Sequence, residues 1–241
     1  MAVSELFLVR HGESVGNVAA TRAELEGLDV IPLDIRDADV PLSDTGREQA
    51  AALGEWLDDH HGSIDTYWVS PYLRAQETLR IALRDRATPT PPVTDERLRD
   101  RELGILDLLT RRGAAARHPE EMARRLHLGK FYHRPPGGES WADVALRLRS
   151  FLRDHLDGPG DRALVVAHDA VVMLILYVLL PLREQELLDF AADHTVLNAS
   201  VTHLVRREGG WDLAVFSDVA HLQREGADIT VHPGSPDVEP A

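Results

Sequence analysis

Three apolar runs in this chain end in residues that could bind and attack a phosphoryl group. Arg10 and His11 follow the first run, Ser70 and Arg74 follow the second, and His168 follows a later one. Short apolar runs of this kind are typical of buried strands. Ligands of open α/β sheets bind at the carboxyl ends of the strands. If the three strands are neighbours, two imidazoles and two guanidiniums meet at one edge of the sheet.

These residue types suit phosphoryl transfer. Two arginines can grip phosphoryl oxygens through forked hydrogen bonds and stabilise their charge in the transition state. A neutral imidazole nitrogen is a nucleophile, and cations near His11 should lower its pKa and keep it unprotonated. We expect His168 to be protonated and to donate to the transferred group. The leaving oxygen needs an acid, for which Asp100 and Glu102 are the candidates.

The alternation of strand and helix patterns predicts the elements that position these residues. It indicates an α/β fold, a three-layer α/β/α sandwich with a mostly parallel central sheet and helices on both faces. We predict strands at residues 6–9, 67–70, 93 and 162–167, an antiparallel pair at 200–205 and 213–216, and helices starting at Ser43, Pro71, Ser140 and Val171. Residues 15–42 look irregular, and residues 105–136 are predicted to be an arginine-rich helical insertion over the site.

Length and composition limit the remaining choices. The 241 residues contain no central linker, so we predict one domain over residues 1–231 and a disordered, proline-rich tail over 232–241. The net charge of −14 argues against a nucleic-acid partner. Residues 163–182 are apolar enough to span a membrane, but His168 and Asp169 near their middle favour a strand, a turn and a helix instead. We expect no membrane association, and homo-oligomerisation stays open.

The chain has no cysteine, which excludes disulfides and thiolate ligands. The histidines show no spacing typical of a metal site, so we expect neither a metal nor a cofactor. The missing cysteines and the absence of a signal-peptide pattern at the start of the chain are compatible with a cytoplasmic location.

Three motifs resemble those of the histidine phosphatase superfamily, which includes cofactor-dependent phosphoglycerate mutase. They are Arg10-His11-Gly12-Glu13-Ser14 followed by Asn17, then Ser70-Pro71-Tyr72-Leu73-Arg74-Ala75-Gln76-Glu77-Thr78, then Val165-Val166-Ala167-His168. They occur in the family's order and span most of the chain. Arg-His-Gly alone would be a weak signal, but the three motifs together are highly specific.

The resemblance implies a role for each matching residue. His11 would be phosphorylated transiently, while Arg10, Asn17, Arg74 and His168 would bind the phosphoryl group; Ser14 of the same motif is a further candidate. The family's acid is usually a Glu four residues before a Gly. That place holds Asp100, with Glu102 two residues later, so Asp100 is favoured and Glu102 is the alternative. Asp169 stands where most relatives have Gly, and we expect only its backbone amide to face the site.

The resemblance also bears on the reaction. The mutases' Gly-Trp-x-Asp segment and basic substrate clamp are not evident, and the segments 40–43 and 130–140 look closer to a broad-range acid phosphatase branch. The prediction is therefore a phosphomonoesterase that hydrolyses small phosphorylated metabolites through a phosphohistidine. The alternatives are a phosphoglycerate mutase and a non-catalytic phosphate-binding regulatory protein. Arg134, beside a Gly-rich loop, is a candidate substrate contact.

Overall fold

A computed structural model of the protein describes residues 2–60, 64–84, 86–158 and 160–232. Within them a six-stranded sheet has the strand order β3-β2-β4-β1-β5-β6. The strands are β1 (Glu5–Arg10), β2 (Thr66–Val69), β3 (Val93–Thr94), β4 (Arg162–Ala167), β5 (Val201–Arg207) and β6 (Gly210–Asp218). Strands β1 to β4 run parallel to one another. Strand β5 pairs antiparallel with β1, and β6 pairs antiparallel with β5.

Helices cover both faces of the sheet. They are α1 (Val15–Leu25), α2 (Asp44–His60), α3 (Leu73–Leu83), α4 (Arg111–Arg117), α5 (Pro119–Leu128), α6 (Trp141–His155), α7 (Asp169–Leu179), α8 (Glu184–Asp193) and α9 (Ala220–Glu225). Strand β1 shows why both faces are covered, because its side chains alternate between two cores. Leu6 and Leu8 pack with α6 and α7, while Phe7 and Val9 pack with α2 and α3. This arrangement is the predicted α/β/α sandwich.

The sheet brings the carboxyl ends of three strands together. Strand β4 lies between β1 and β2, and all three are parallel. His11, Ser70 and His168 each directly follow one of them. The strand order therefore brings these three residues to one edge of the sheet, as predicted. The order itself could not be read from the sequence. None of the helices in the described ranges has the length and hydrophobicity of a transmembrane span.

Two predicted segments differ from the structure. Residues 15–25, expected to be irregular, form α1, which starts in a capping box in which Ser14 and Asn17 bond each other's backbone amides. Ala23 is its one buried residue, so the helix carries no apolar stripe that periodicity could detect. The insertion at 105–136 contains two helices, α4 and α5, which are separated by His118, and α5 begins at Pro119.

Two glycines allow α2 to touch the loop that carries His11. A Cβ added at Gly46 would lie 1.9 Å from the Glu13 carbonyl oxygen, and one added at Gly12 would lie 2.5 Å from the Gly46 carbonyl oxygen. Alanine normally stabilises a helix by about 1 kcal/mol relative to glycine, but overpacking against backbone costs about 1–3 kcal/mol. We therefore expect Gly46→Ala to lower the free energy of unfolding, measured by urea denaturation.

The turn between β5 and β6 offers a matched control for this substitution. A Cβ added at Gly209 would meet no atom within 4 Å, so Gly209→Ala should change the free energy of unfolding by less than about 0.5 kcal/mol. Equal stability of the two variants would contradict the close contact between α2 and the loop.

Candidate active site

The ring of His11 lies at the end of β1, and one of its nitrogens is unprotonated, as nucleophilic attack requires. Nδ1 lies 2.6 Å from the Gly12 carbonyl oxygen, so it must donate there and carry the ring proton. Nε2 is then unprotonated and accepts a hydrogen bond from Arg74 Nε at 3.2 Å. The His11 backbone amide bonds the Ala167 carbonyl oxygen, which fixes the loop onto the neighbouring strand β4.

The surroundings of His11 keep the ring neutral. Burial lowers its pKa most, and the nearby charges of Arg74, His168 and Arg10 lower it further. The Gly12 carbonyl opposes these effects, but the pKa still lies well below its usual range. A neutral His11 is therefore the form present at neutral pH, as its role as a nucleophile requires.

Arg10 is a buried guanidinium with unused capacity to donate. Nη1 donates to the Val196 carbonyl oxygen at 2.5 Å, and Nη2 donates to the His232 carbonyl oxygen at 2.9 Å. Nε is buried and has no hydrogen-bond partner among the described residues. A buried donor without an acceptor is costly, and an oxyanion beside His11 would supply one.

Arg74, the second residue of α3, directs one edge of its guanidinium at His11. Nε donates to His11 Nε2, and Nη2 donates to Asp100 Oδ2 at 3.0 Å. Asp37 takes the other edge: its backbone oxygen and Oδ1 accept from Nη1 at 2.7 and 2.9 Å, and its Oδ2 accepts from Nη2 at 3.2 Å. The sequence analysis did not single out Asp37, since it lies in the segment without motif or periodicity.

His168 faces His11 across the same cleft, with 5.2 Å between the ring centroids. Its Nε2 pairs with Ser70 Oγ at 2.8 Å. Its Nδ1 lies 3.2 Å from Asp100 Oδ2 without the alignment of a hydrogen bond. Burial lowers the pKa of His168 although Asp100 opposes this, so the ring is neutral in the free protein, and the predicted protonated form is expected only with a phosphoryl group bound. A bound phosphate dianion would favour protonation.

The two candidate acids lie in different surroundings. Asp100 contacts both Arg74 and His168, and its Oδ1 accepts from the Arg101 amide at 2.8 Å. Burial raises the pKa of Asp100, but the charges of His168 and Arg74 and these hydrogen bonds outweigh it and hold the pKa well below its usual range. Glu102 lies outside this group: its side chain is 49% exposed and accepts a hydrogen bond from the Tyr72 hydroxyl at 2.9 Å.

The other predicted residues are placed less directly. Ser14 and Asn17 cap α1, and Asn17 Oδ1 accepts from Asn198 Nδ2 at 3.4 Å. Asn198, which the sequence analysis missed, is buried and also donates to the His11 carbonyl oxygen at 3.1 Å. It carries no motif, because its contact joins residues far apart in the chain. Asp169 bonds the Ala170 amide through Oδ1.

The structure does not bring Arg134 to this cleft. Its exposed guanidinium pairs with Asp143, which also completes the capping box of α6 with Ser140. A carboxylate fixed by the helix start therefore holds the arginine that was expected to contact substrate. His133 beside it is buried against Glu121.

His232, which the sequence analysis assigned to the tail, packs beside the cleft. Its Nε2 pairs with Glu13 Oε2 and its Nδ1 with Thr21 Oγ1, both at 2.7 Å. Its carbonyl oxygen accepts from Arg10, as described above. The predicted disorder of residues 233–241 concerns residues outside the described ranges.

The buried histidines make the fold sensitive to acid. Burial, which is partial for His203, lowers the pKa of five histidines: His11, His133, His168, His203 and His221. In the unfolded chain they titrate near pH 6.5, so below that pH the unfolded state binds more protons than the folded state. We expect the free energy of unfolding in urea to fall between pH 7 and pH 5. A constant or rising stability over that range would contradict the neutral burial of these rings.

The cleft thus combines a neutral nucleophile, two guanidiniums and a carboxylate, the groups that phosphoryl transfer requires. The model of the histidine phosphatase superfamily (branch 1) matches residues 6–219.

Similar proteins include both mutases and phosphatases. The chain is 35% identical over 175 residues to a 2,3-bisphosphoglycerate-dependent phosphoglycerate mutase of Gloeobacter violaceus, covering 71% of this chain and 73% of that protein. It is 29% identical over 229 residues to a metal-independent phosphoserine phosphatase of Arabidopsis thaliana, covering 93% and 85%. A mycobacterial glucosyl-3-phosphoglycerate phosphatase solved with VO3 superposes with a TM-score of 0.70 at 26% identity, over 90% of this chain and 100% of that one. The predicted family and mixed α/β fold are confirmed, and the chain belongs to the histidine phosphatase superfamily, branch 1.

Proposed function

We propose that the protein hydrolyses phosphate monoesters of small molecules through a phosphohistidine on His11. The observation that carries the proposal is the state of His11: its Nε2 is unprotonated, buried and 3.2 Å from Arg74 Nε, and the charge of Arg10 also acts on the ring. Two guanidiniums that surround a neutral nucleophile suit a phosphoryl dianion better than any neutral ligand.

The first step transfers the phosphoryl group to the enzyme. His11 Nε2 attacks phosphorus, a P–N bond forms, and the P–O bond to the leaving group breaks. Asp100 gives its proton to the leaving oxygen, so an alcohol departs. Asp100 is ionised in the free protein, because its pKa is held low. The required proton arrives with the monoanion of the substrate, whose second pKa is about 6.

The second step releases inorganic phosphate. The Asp100 carboxylate takes a proton from water as the water oxygen attacks phosphorus. The P–N bond breaks, its electron pair returns to His11 Nε2, and Asp100 gives its proton to the departing phosphate or to solvent, which restores the carboxylate. Arg10, Arg74 and His168 hold the phosphoryl oxygens during both steps. Ser14 and Asn17 cap the start of α1 beside the His11 loop, and they are further candidates to hold the phosphoryl group.

A phosphoglycerate mutase activity is the second candidate, since a relative at 35% identity is named as a mutase. The two reactions share the phosphohistidine and differ in the acceptor, which is water in one and a second hydroxyl in the other. The test is to incubate the protein with 3-phosphoglycerate and a trace of 2,3-bisphosphoglycerate, and with an aryl phosphate. Phosphate release that exceeds isomerisation supports the phosphatase, and primer-dependent isomerisation that exceeds hydrolysis would replace it by the mutase.

A further inference from the structure

Asp37 holds the outer edge of Arg74 and also reaches solvent. Its carboxylate oxygens accept from both Nη atoms of Arg74, and 43% of its side chain is exposed, against 5% for Arg74. Asp37 therefore lies between the buried phosphoryl position and the mouth of the cleft. The proposed reaction assigns no task to this carboxylate.

The geometry of Arg74 places Asp37 on the side of the leaving group. The Nε and Nη2 edge faces His11 and Asp100, so it is the edge that a phosphoryl group on His11 would meet. Asp37 Oδ2 and Asp100 Oδ2 bond the same Nη2, at 3.2 and 3.0 Å. Asp100, as the acid, must lie within hydrogen-bond reach of the leaving oxygen. Because Asp37 bonds the same Arg74 nitrogen as Asp100, it also faces the leaving group.

Two further carboxylates lie in this region: Glu102, through its hydrogen bond to Tyr72, and Asp107, whose pKa responds to the charge of Asp37. Glu102 is held by the Tyr72 hydroxyl, and Tyr72 stacks its ring against the Arg74 guanidinium at 4.9 Å. Asp107 belongs to the turn that follows Glu102. Partial removal from water and then the charge of Asp37 raise the pKa of Asp107, and Glu102 contributes to the rise. The charges of Asp37 and Glu102 therefore both act on Asp107 near the cleft entrance.

Two cations near this entrance, Arg36 and Arg99, are already paired. Arg36 forms a two-point pair with Asp39. Arg99 pairs with Glu139 at 2.7 Å and lies 3.9 Å from Glu102. Inside the cleft, by contrast, the unpartnered Arg10 Nε marks a position for an anion. The cleft is thus cationic where the phosphoryl group binds and anionic where its leaving group departs.

We propose that Asp37 is a specificity-determining residue: with Glu102 and Asp107, it selects monoesters whose leaving group is cationic or neutral and rejects those that carry a carboxylate or a second phosphate. The inference rests on the proposed phosphatase function. Like charges placed together across an interface are strongly unfavourable, so rejection of the anionic leaving group should exceed about tenfold in kcat/KM.

Three monoesters of similar size test this selection, because they differ mainly in the charge at the end of the leaving group. They are O-phosphoethanolamine, n-propyl phosphate and phosphoglycolate. For the wild-type protein we expect kcat/KM to be lowest for phosphoglycolate, by about tenfold or more relative to O-phosphoethanolamine. Asp37→Asn keeps an acceptor for Arg74 but removes the charge, so the ratio between these two substrates should shrink several-fold.

The ratio separates specificity from a positioning defect. A misplaced Arg74 would slow all three substrates alike and leave the ratio unchanged. The matched control is Asp34→Asn, an equal charge change at an exposed position of the same segment, which should keep the wild-type ratio. Equal kcat/KM for the three substrates in the wild type, or an unchanged ratio in Asp37→Asn, overturns the inference while hydrolysis itself stands. If the protein hydrolyses neither n-propyl phosphate nor an aryl phosphate, the proposed function is overturned, and the inference with it.

Discussion

Replacing His11 with alanine should reduce phosphate release from an aryl phosphate by a factor on the order of 10⁴ or more. The substitution removes the atom that attacks phosphorus. The Asp100 side chain has no nitrogen, and His168 lies on the other side of the cleft, with 5.2 Å between its ring centroid and that of His11. The substitution removes the two hydrogen bonds that the His11 ring forms with Gly12 and Arg74. The rest of the cleft should persist. The measurement is initial-rate phosphate release at saturating substrate, with circular dichroism to confirm folding.

The exposed His127 on α5 provides the matched control. His127→Ala makes the same chemical change outside the cleft and should keep the wild-type rate. Turnover that survives in folded His11→Ala would show that another group attacks phosphorus.

Replacing Asp100 with asparagine should lower kcat for an alkyl phosphate by about 10²–10⁴-fold, the usual contribution of a general acid. Asparagine keeps the size of the side chain and an acceptor for Arg74 but carries no proton to give. An activated aryl phosphate needs little protonation of its leaving oxygen, so its single-turnover rate should fall much less. The difference between the two substrates identifies the acid.

Glu102→Gln is the comparison, because Glu102 is the other carboxylate that the sequence offered. It bonds Tyr72 and does not contact Arg74 Nη2 or His168 as Asp100 does. We expect a smaller loss, without the dependence on leaving group. A larger and leaving-group-dependent loss in Glu102→Gln would transfer the role of acid from Asp100 to Glu102, and equal mild losses would exclude both.

The residues that end strands could be predicted well. Arg10, His11, Arg74 and His168 lie in short motifs whose position after an apolar run can be seen in the sequence, and parallel strands carry such residues to one edge. The predicted family, the α/β fold and the class of enzyme, a histidine-type phosphatase, are confirmed. The roles of Arg10, His11, Arg74 and His168 in the reaction remain predictions.

Residues that act through long-range contacts could not be predicted in this way. Asp37, Asn198 and His232 reach the cleft from segments without periodicity or motif, and only the folded chain places them beside Arg74, His11 and Arg10. Arg134 shows a related difficulty. Its sequence position suggested a substrate contact, whereas in the structure it pairs with Asp143 at the start of α6.

The protonation of His168 depended on burial as well as on neighbouring charge. The sequence showed a histidine expected near anions, which favours the charged form. The structure adds full burial between β4 and α7, and burial lowers the pKa more than Asp100 raises it. The balance of the two effects can be judged only once the depth of the cleft is known.

Trapping the phosphorylated enzyme tests directly whether His11 is the nucleophile that accepts the phosphoryl group. The protein is mixed with an aryl phosphate, quenched within the first turnover at alkaline pH, digested and analysed by mass spectrometry. We expect one acid-labile phosphoryl group on the peptide that contains His11, present in the wild type and absent in His11→Ala. A phosphoryl group on another residue, or phosphate release without any phosphorylated intermediate in the first turnover, would contradict it.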